Sequence, residues 1–149
     1  MSEAAPRVFL DTNVLFSGVY SRSGAPGRLL DAAAAAKYAA VISSAVIDEL
    51  IRNLQRKSPA GLESLAAFLA DVSPIIVANP PPEEVEPWLI AGLAEDAMVV
   101  AAASLAEVDY FCTGDAALLR KLATLDPPFR TIRPAVLLRI LTGGGSQAL

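Results

Sequence analysis

No histidine occurs in the 149 residues. Catalytic dyads and triads built on imidazole are therefore excluded, and so are histidine-bound metal sites. A single cysteine, Cys112, stands in an apolar run. One thiol makes neither a disulfide framework nor a cysteine-ligated zinc site, and its neighbours mark it as a buried strand residue. No apolar stretch reaches the roughly 18 residues a membrane span needs. Met1 to Pro6 carry no basic or apolar leader pattern, so the expected setting is cytoplasmic, with no membrane partner. Basic residues are scarce too. Lys and Arg number 12 against 16 Asp and Glu, a net charge of −4, which excludes simple nucleic-acid binding through a broadly basic surface. Hydrolytic chemistry must then come from carboxylates, hydroxyls, lysine or a bound metal.

What is present suits one domain, since 54% of residues are hydrophobic and a sizeable core is available. Short apolar strands are expected at 7–10, 40–42, 75–77 and 110–113, with an edge strand at 129–133. Helix formers fill 26–37, and Ser43 or Ser44 caps a helix running to about Lys57. Further helices fit 60–71, 83–93, 95–106, 116–123 and 135–141, the one at 95–106 apolar nearly all round and so buried. Residues 12–24 read as turn-like, and prolines 80–82 as a rigid connection. Strands alternating with helices predict an α/β fold with a parallel sheet covered on both faces. The domain is expected to span 1–142, with 143–149 a flexible tail.

In open parallel sheets, sites form beyond the carboxyl ends of the strands where strand order reverses. Asp11 closes the first strand, and Asp115 lies two residues past Thr113. If those strands are neighbours, both carboxylates reach one rim. Asp96 falls in the first turn of the helix at 95–106. In the helix after the second strand, Asp48 and Glu49 flank an apolar stripe of Val46, Ile47, Leu50, Ile51 and Leu54, and periodicity does not choose between them. Each acid has an ordinary alternative: a helix cap for Asp96 and Asp115, an Asx turn for Asp11, a solvated charge for Glu49. As a cluster they need a cation, because two unpaired carboxylates about 5 Å apart repel by roughly 3 kcal/mol at an effective dielectric near 20. Oxygen-only ligands suit Mg²⁺ or Mn²⁺.

Leu10-Asp11-Thr12-Asn13-Val14-Leu15, Ser44 to Glu49-Leu50, Glu95-Asp96-Ala97 with Ala101 to Ala103, and Thr113-Gly114-Asp115 resemble, in order, the acidic motifs of the PIN-domain nucleases. The resemblance covers roughly residues 7–134. It implies a Rossmann-like three-layer α/β/α sandwich with a central parallel sheet, and Mg²⁺- or Mn²⁺-dependent hydrolysis of RNA phosphodiester bonds. It favours Glu49 over Asp48. Asp11, Glu49, Asp96 and Asp115 become the catalytic acids, with Asp11, Asp96 and Asp115 as metal ligands. Asn13 and Thr113 become the polar residues that orient them. Many small members are VapC-like toxins of toxin–antitoxin pairs, which makes an antitoxin protein and a homodimer expected partners beside RNA. Candidates for cationic help with RNA are Arg22, Arg28, Arg52, Arg56, Lys57, Arg120 and Lys121, of which Arg52 and Arg56 stand one turn apart on the flank of Glu49.

Two other classes fit parts of the pattern. A non-catalytic PIN-like module would hold RNA or a protein without cutting. A phosphatase using Asp11 as nucleophile would commonly carry a second Asp two residues on, where this chain has Asn13.

Overall fold

The computed structural model describes residues 5–143. Val8, Phe9 and Leu10 are all fully buried in strand β1 (Arg7–Leu10). Successive strand residues point to opposite faces, so both faces of the sheet are covered. The same holds for Ala40 to Ser43 in β2 (Ala39–Ser43) and for Phe111 and Cys112 in β4 (Tyr110–Cys112). With β3 (Ile75–Val77) and β5 (Arg130–Ile132), these strands form one five-stranded, wholly parallel sheet in the order β3-β2-β1-β4-β5. Strand order reverses between β1 and β4, which pair with Val8 opposite Tyr110 and Leu10 opposite Cys112. The predicted α/β/α sandwich is thus the observed one, and the expected edge strand at 129–133 is the edge strand β5.

Helices fill every connection. Two, α1 (Thr12–Tyr20) and α2 (Ala25–Ala34), join β1 to β2; α3 (Ser44–Lys57) and α4 (Gly61–Val72) join β2 to β3. Next come α5 (Pro82–Ile90), a 3₁₀ turn (Ala94–Asp96) and α6 (Ala97–Leu105). Then α7 (Ala116–Ala123) separates β4 from β5, and α8 (Pro134–Leu141) follows. The tail assigned to 143–149 lies, beyond Gly143, outside the described residues. No helix among the described residues is long and apolar enough to cross a membrane.

The turn-like reading of 12–24 fails over its first nine residues, which are helix α1. Thr, Asn, Val, Phe and Gly are weak helix formers, and propensity alone rejects them. Packing overrides it. Asp11 Oδ1 caps the helix by accepting from the Thr12 N–H at 2.8 Å, and Val14, Leu15, Gly18 and Val19 form one buried stripe. Gly18 is needed for contact rather than freedom: a Cβ there would lie 2.7 Å from Leu30 Cδ1 on α2. The helix expected over 95–106 is also divided, because Ala94 adopts a positive φ of 50° and the next residues form a 3₁₀ turn before α6. Residues 26–37 and 44–71 leave little apolar surplus, since Leu29, Leu30, Val46, Leu50, Leu54, Leu65 and Phe68 all sit in the core.

Helix α2 ends in a Schellman motif: Lys37 N–H donates to Ala32 O at 2.9 Å and Ala36 N–H to Ala33 O at 3.0 Å. The left-handed residue is Ala36, φ 58°, where glycine carries no Cβ penalty. Ala36→Gly is expected to stabilise the domain by about 0.5–1 kcal/mol, read as a higher urea midpoint with an unchanged slope.

Candidate active site

The cleft begins where β1 ends. Asp11 N–H donates to Cys112 O at 3.0 Å, locking the two strand ends together at the point of reversal. The Asp11 carboxylate is then tied on three sides. Oδ1 takes the Thr12 N–H, while Oδ2 takes the Thr113 hydroxyl at 2.8 Å and the Asn13 amide at 3.2 Å. Asn13 Nδ2 also reaches Thr113 Oγ1 at 3.2 Å, and Asn13 Oδ1 accepts the Gly114 N–H at 2.7 Å. That last contact explains the glycine, because a Cβ at position 114 would stand 3.2 Å from Asn13 Oδ1. Thr113, fully buried, accepts the Asp115 N–H through Oγ1 at 3.1 Å. Asn13 and Thr113 therefore link the loop after β1 to the loop after β4.

Four acids from four segments line one open cleft of about 350 Å³: Asp11, Glu49, Asp96 and Asp115, with Thr12, Asn13, Phe16, Ser17, Asn53 and Lys57. Glu49 is among the residues lining the cleft and Asp48 is not. The ordinary alternatives divide the acids. Asp115 does cap α7, its Oδ1 accepting from Ala117 N at 2.9 Å and Leu118 N at 3.2 Å. Asp11 caps α1. Asp96 precedes α6 but its side chain caps nothing, so helix capping does not account for it.

No ion pair neutralises the acids of the cleft among the described residues, and Lys57 is the one cation lining it. Among the described residues the only ion pair joins Arg22 to Asp31, away from the site. Burial pushes the Asp11 carboxyl above its usual value; hydrogen bonds from Thr113 and Thr12 oppose this, and the charges of Glu49 and Asp115 add to it. Asp96 is pushed up to about 6, by burial first and then by Asp11, Asp115 and Glu95, with Lys121 opposing. Cys112 is inert: burial, with a contribution from Asp11, raises its thiol to about 12.

A raised carboxyl means the folded state holds protons the unfolded chain has already released. Stability of the metal-free chain therefore falls as pH rises from about 4, where a free aspartate ionises, through about 6, where Asp96 does. Urea midpoints taken across this window should decline with pH, and Asp96→Asn should flatten the decline.

Arg52 and Arg56 are exposed but do not line the cleft; Arg56 turns to Asn53 Oδ1 at 2.8 Å. The cation on the wall is Lys57, with Glu49 and Asn53 along the same stripe of α3 at spacings of four. Nor do the four acids close into one ready-made cage, for among the described residues no three Asp, Glu or Cys side chains stand close enough to hold a metal ion between them. Mutual repulsion of unpaired carboxylates favours that spread. The sequence reading also missed Asn53, Phe16 and Ser17. Asn53 was legible as Glu49 plus four; Phe16 and Ser17 were hidden with helix α1.

The donor set still suits a hard cation. All its atoms are oxygens, it is short of positive charge, and the buried Thr12 Oγ1 beside Asp11 has no partner among the described residues. Mg²⁺ in particular takes one or two carboxylates and keeps several waters, so three closing acids are not required.

An open parallel α/β domain with an acid-lined cleft at its switch point is the class these features define. A model of the PIN domain family matches residues 7–117, and the chain belongs to that family. PIN domains are generally nucleases and typically use divalent metal ions, which places the chain among the hydrolases. The fold is similar to that of PAE2754 from Pyrobaculum aerophilum (TM-score 0.65, 20% identity, 93% of this chain and 91% of that one). It is also similar to VapBC2 from Rickettsia felis, solved bound to a DNA fragment from their promoter (TM-score 0.61, 16% identity, 85% and 98%). A third likeness is a domain of a functionally unknown protein from Methanocaldococcus jannaschii (TM-score 0.56, 19% identity, 87% and 91%). No curated protein matches the chain.

Proposed function

We propose that this chain is a divalent-metal-dependent endoribonuclease that hydrolyses RNA phosphodiester bonds, and the toxin of a toxin–antitoxin pair. The observation that carries the reading is the meeting of Asp11, Glu49, Asp96 and Asp115 in one cleft, although they come from four separate segments. Asp11, Asp96 and Asp115 would hold Mg²⁺ or Mn²⁺, and Glu49 would complete the site. Bound there, such an ion lowers the pKa of a water and polarises a phosphate.

The chain's own residues do the rest. Asn13 and Thr113 hold the Asp11 carboxylate in one orientation, their hydrogen bonds favouring its charged form. Asp115 lines the cleft while its Oδ1 caps α7. Glu49, exposed on the wall and held by no hydrogen bond among the described residues, is free to accept a proton or orient a water. Lys57 is placed to meet a phosphate oxygen. The likeness to the VapBC2 complex supports an antitoxin protein as partner; a second copy of the chain is a further proposed partner.

The test is direct. The purified chain should cut single-stranded RNA in Mg²⁺ or Mn²⁺, and a chelator should stop it. Intact RNA under every metal condition would sink the enzymatic reading. The open spacing of the acids favours a second reading, a PIN-like module that binds without cutting. Isothermal titration with Mn²⁺ separates the two, because a mere binder has no need of the ion.

A further inference from the structure

We propose that Tyr20 and Phe16, with Lys57 beside them, form a stacking platform for one unpaired RNA base next to the cleft. The proposal rests on the ribonuclease reading and adds to it how the substrate strand is gripped.

Phe16 lines the acidic cleft and is half-buried against the core. Tyr20 lies one turn further along α1, with its ring stacked on Phe16 at 5.8 Å between centroids and 13° between planes. Tyr20 is nevertheless 65% exposed, so its outer face meets water while its inner face is braced. Lys57 Nζ stands 5.9 Å from the Phe16 centroid, within cation–π range. The result is an aromatic step with a positive charge beside Phe16, at the edge of the cleft that holds the four acids.

Charge explains why this step matters. Nucleic-acid binding usually draws on many phosphate contacts from Lys and Arg, and a chain of net charge −4 has few to give. Stacking of a base on an aromatic face does not depend on net charge and tolerates any sequence. It requires an unpaired base, because a base inside a duplex offers no free face. A strand entering past Tyr20 would lay one base on the ring and one phosphate near Lys57 before reaching the acids. The platform thus selects single strands, loops or ends over duplex RNA.

The experiment uses a short single-stranded RNA, phosphorothioate-linked to resist cleavage, carrying 2-aminopurine at successive positions in Mg²⁺ buffer. Fluorescence of the wild-type complex should be quenched at one position. Tyr20→Ala should abolish that quenching and weaken binding about tenfold, while Tyr20→Phe stays within about twofold of wild type. An abasic site at the quenched position should cost wild type about the same tenfold and cost Tyr20→Ala nothing. The melting temperature of Tyr20→Ala should be unchanged, since the ring is mostly exposed.

Equal binding by wild type and Tyr20→Ala, or no quenching at any position, overturns the platform and leaves the exposed ring as a surface for a protein partner. Quenching with no cleavage in the metal-dependent assay would overturn the nuclease reading alone. Cleavage with no quenching would overturn the platform alone.

Discussion

Asp11→Asn is expected to eliminate metal-dependent RNA cleavage while leaving the domain folded. The loss should exceed the roughly 10–100-fold that removal of a supporting hydrogen bond costs, because the substitution deletes a carboxylate at the centre of the cleft. Stability should change by only about 1 kcal/mol, since opposing effects meet at this residue. Burial and the charges of Glu49 and Asp115 disfavour the ionised form, and asparagine removes both penalties. Against that, the new amide nitrogen must avoid the Asn13 Nδ2 that now donates to Asp11 Oδ2 at 3.2 Å. Thermal melting and a cleavage assay on the same preparation check both halves. A variant that still cuts at the wild-type rate would remove Asp11 from the proposed mechanism; one that fails to fold would make its role structural.

The same residue shows what the sequence made legible. A carboxylate directly after three buried apolar residues is visible in the order Val8, Phe9, Leu10, Asp11, and the strand order confirms that it meets Asp115 at the reversal. The parallel sheet was legible for the same reason: short apolar runs alternate with helical stretches, and both periodicities survive in single residues. Glu49 was not separable from Asp48 by periodicity, because they flank the same stripe of α3, and only the position of the cleft distinguishes them. Helix α1 was hidden because its residues favour other conformations and its order comes from a cap and a close approach to Leu30. The cap is local, joining neighbouring residues, but the close approach is a tertiary fact. Phe16, Ser17 and the aromatic step to Tyr20 went unseen with it. Charge and spacing singled out Arg52 and Arg56 among the cations; their neighbours Asn53 and Lys57, about 100° round the helix, are the ones that line the cleft.

Thr113 is the residue whose loss should be felt in both stability and activity. It is fully buried, donates to Asp11 Oδ2 at 2.8 Å and accepts the Asp115 N–H at 3.1 Å. Thr113→Val keeps the shape and removes the hydroxyl. A hydrogen bond to a charged group contributes about 1.5–3 kcal/mol, and a loss of that order at neutral pH should appear in urea unfolding. Cleavage should fall by about 10–100-fold, the usual cost of an unsupported ligand carboxylate. The pH profile distinguishes positioning from bulk damage. The Thr113 bond favours the charged form of Asp11 and opposes the upward push of burial. Without it, Asp11 holds its proton to higher pH, so the acid limb of the activity profile should move to higher pH. The stability deficit should also shrink at low pH, where Asp11 is protonated in both proteins. Thr113→Ser restores the donor and should return the acid limb to its wild-type position, even if the missing methyl leaves the domain less stable. An acid limb that stays in place in Thr113→Val would mean that the hydroxyl holds the two loops together without tuning the carboxylate.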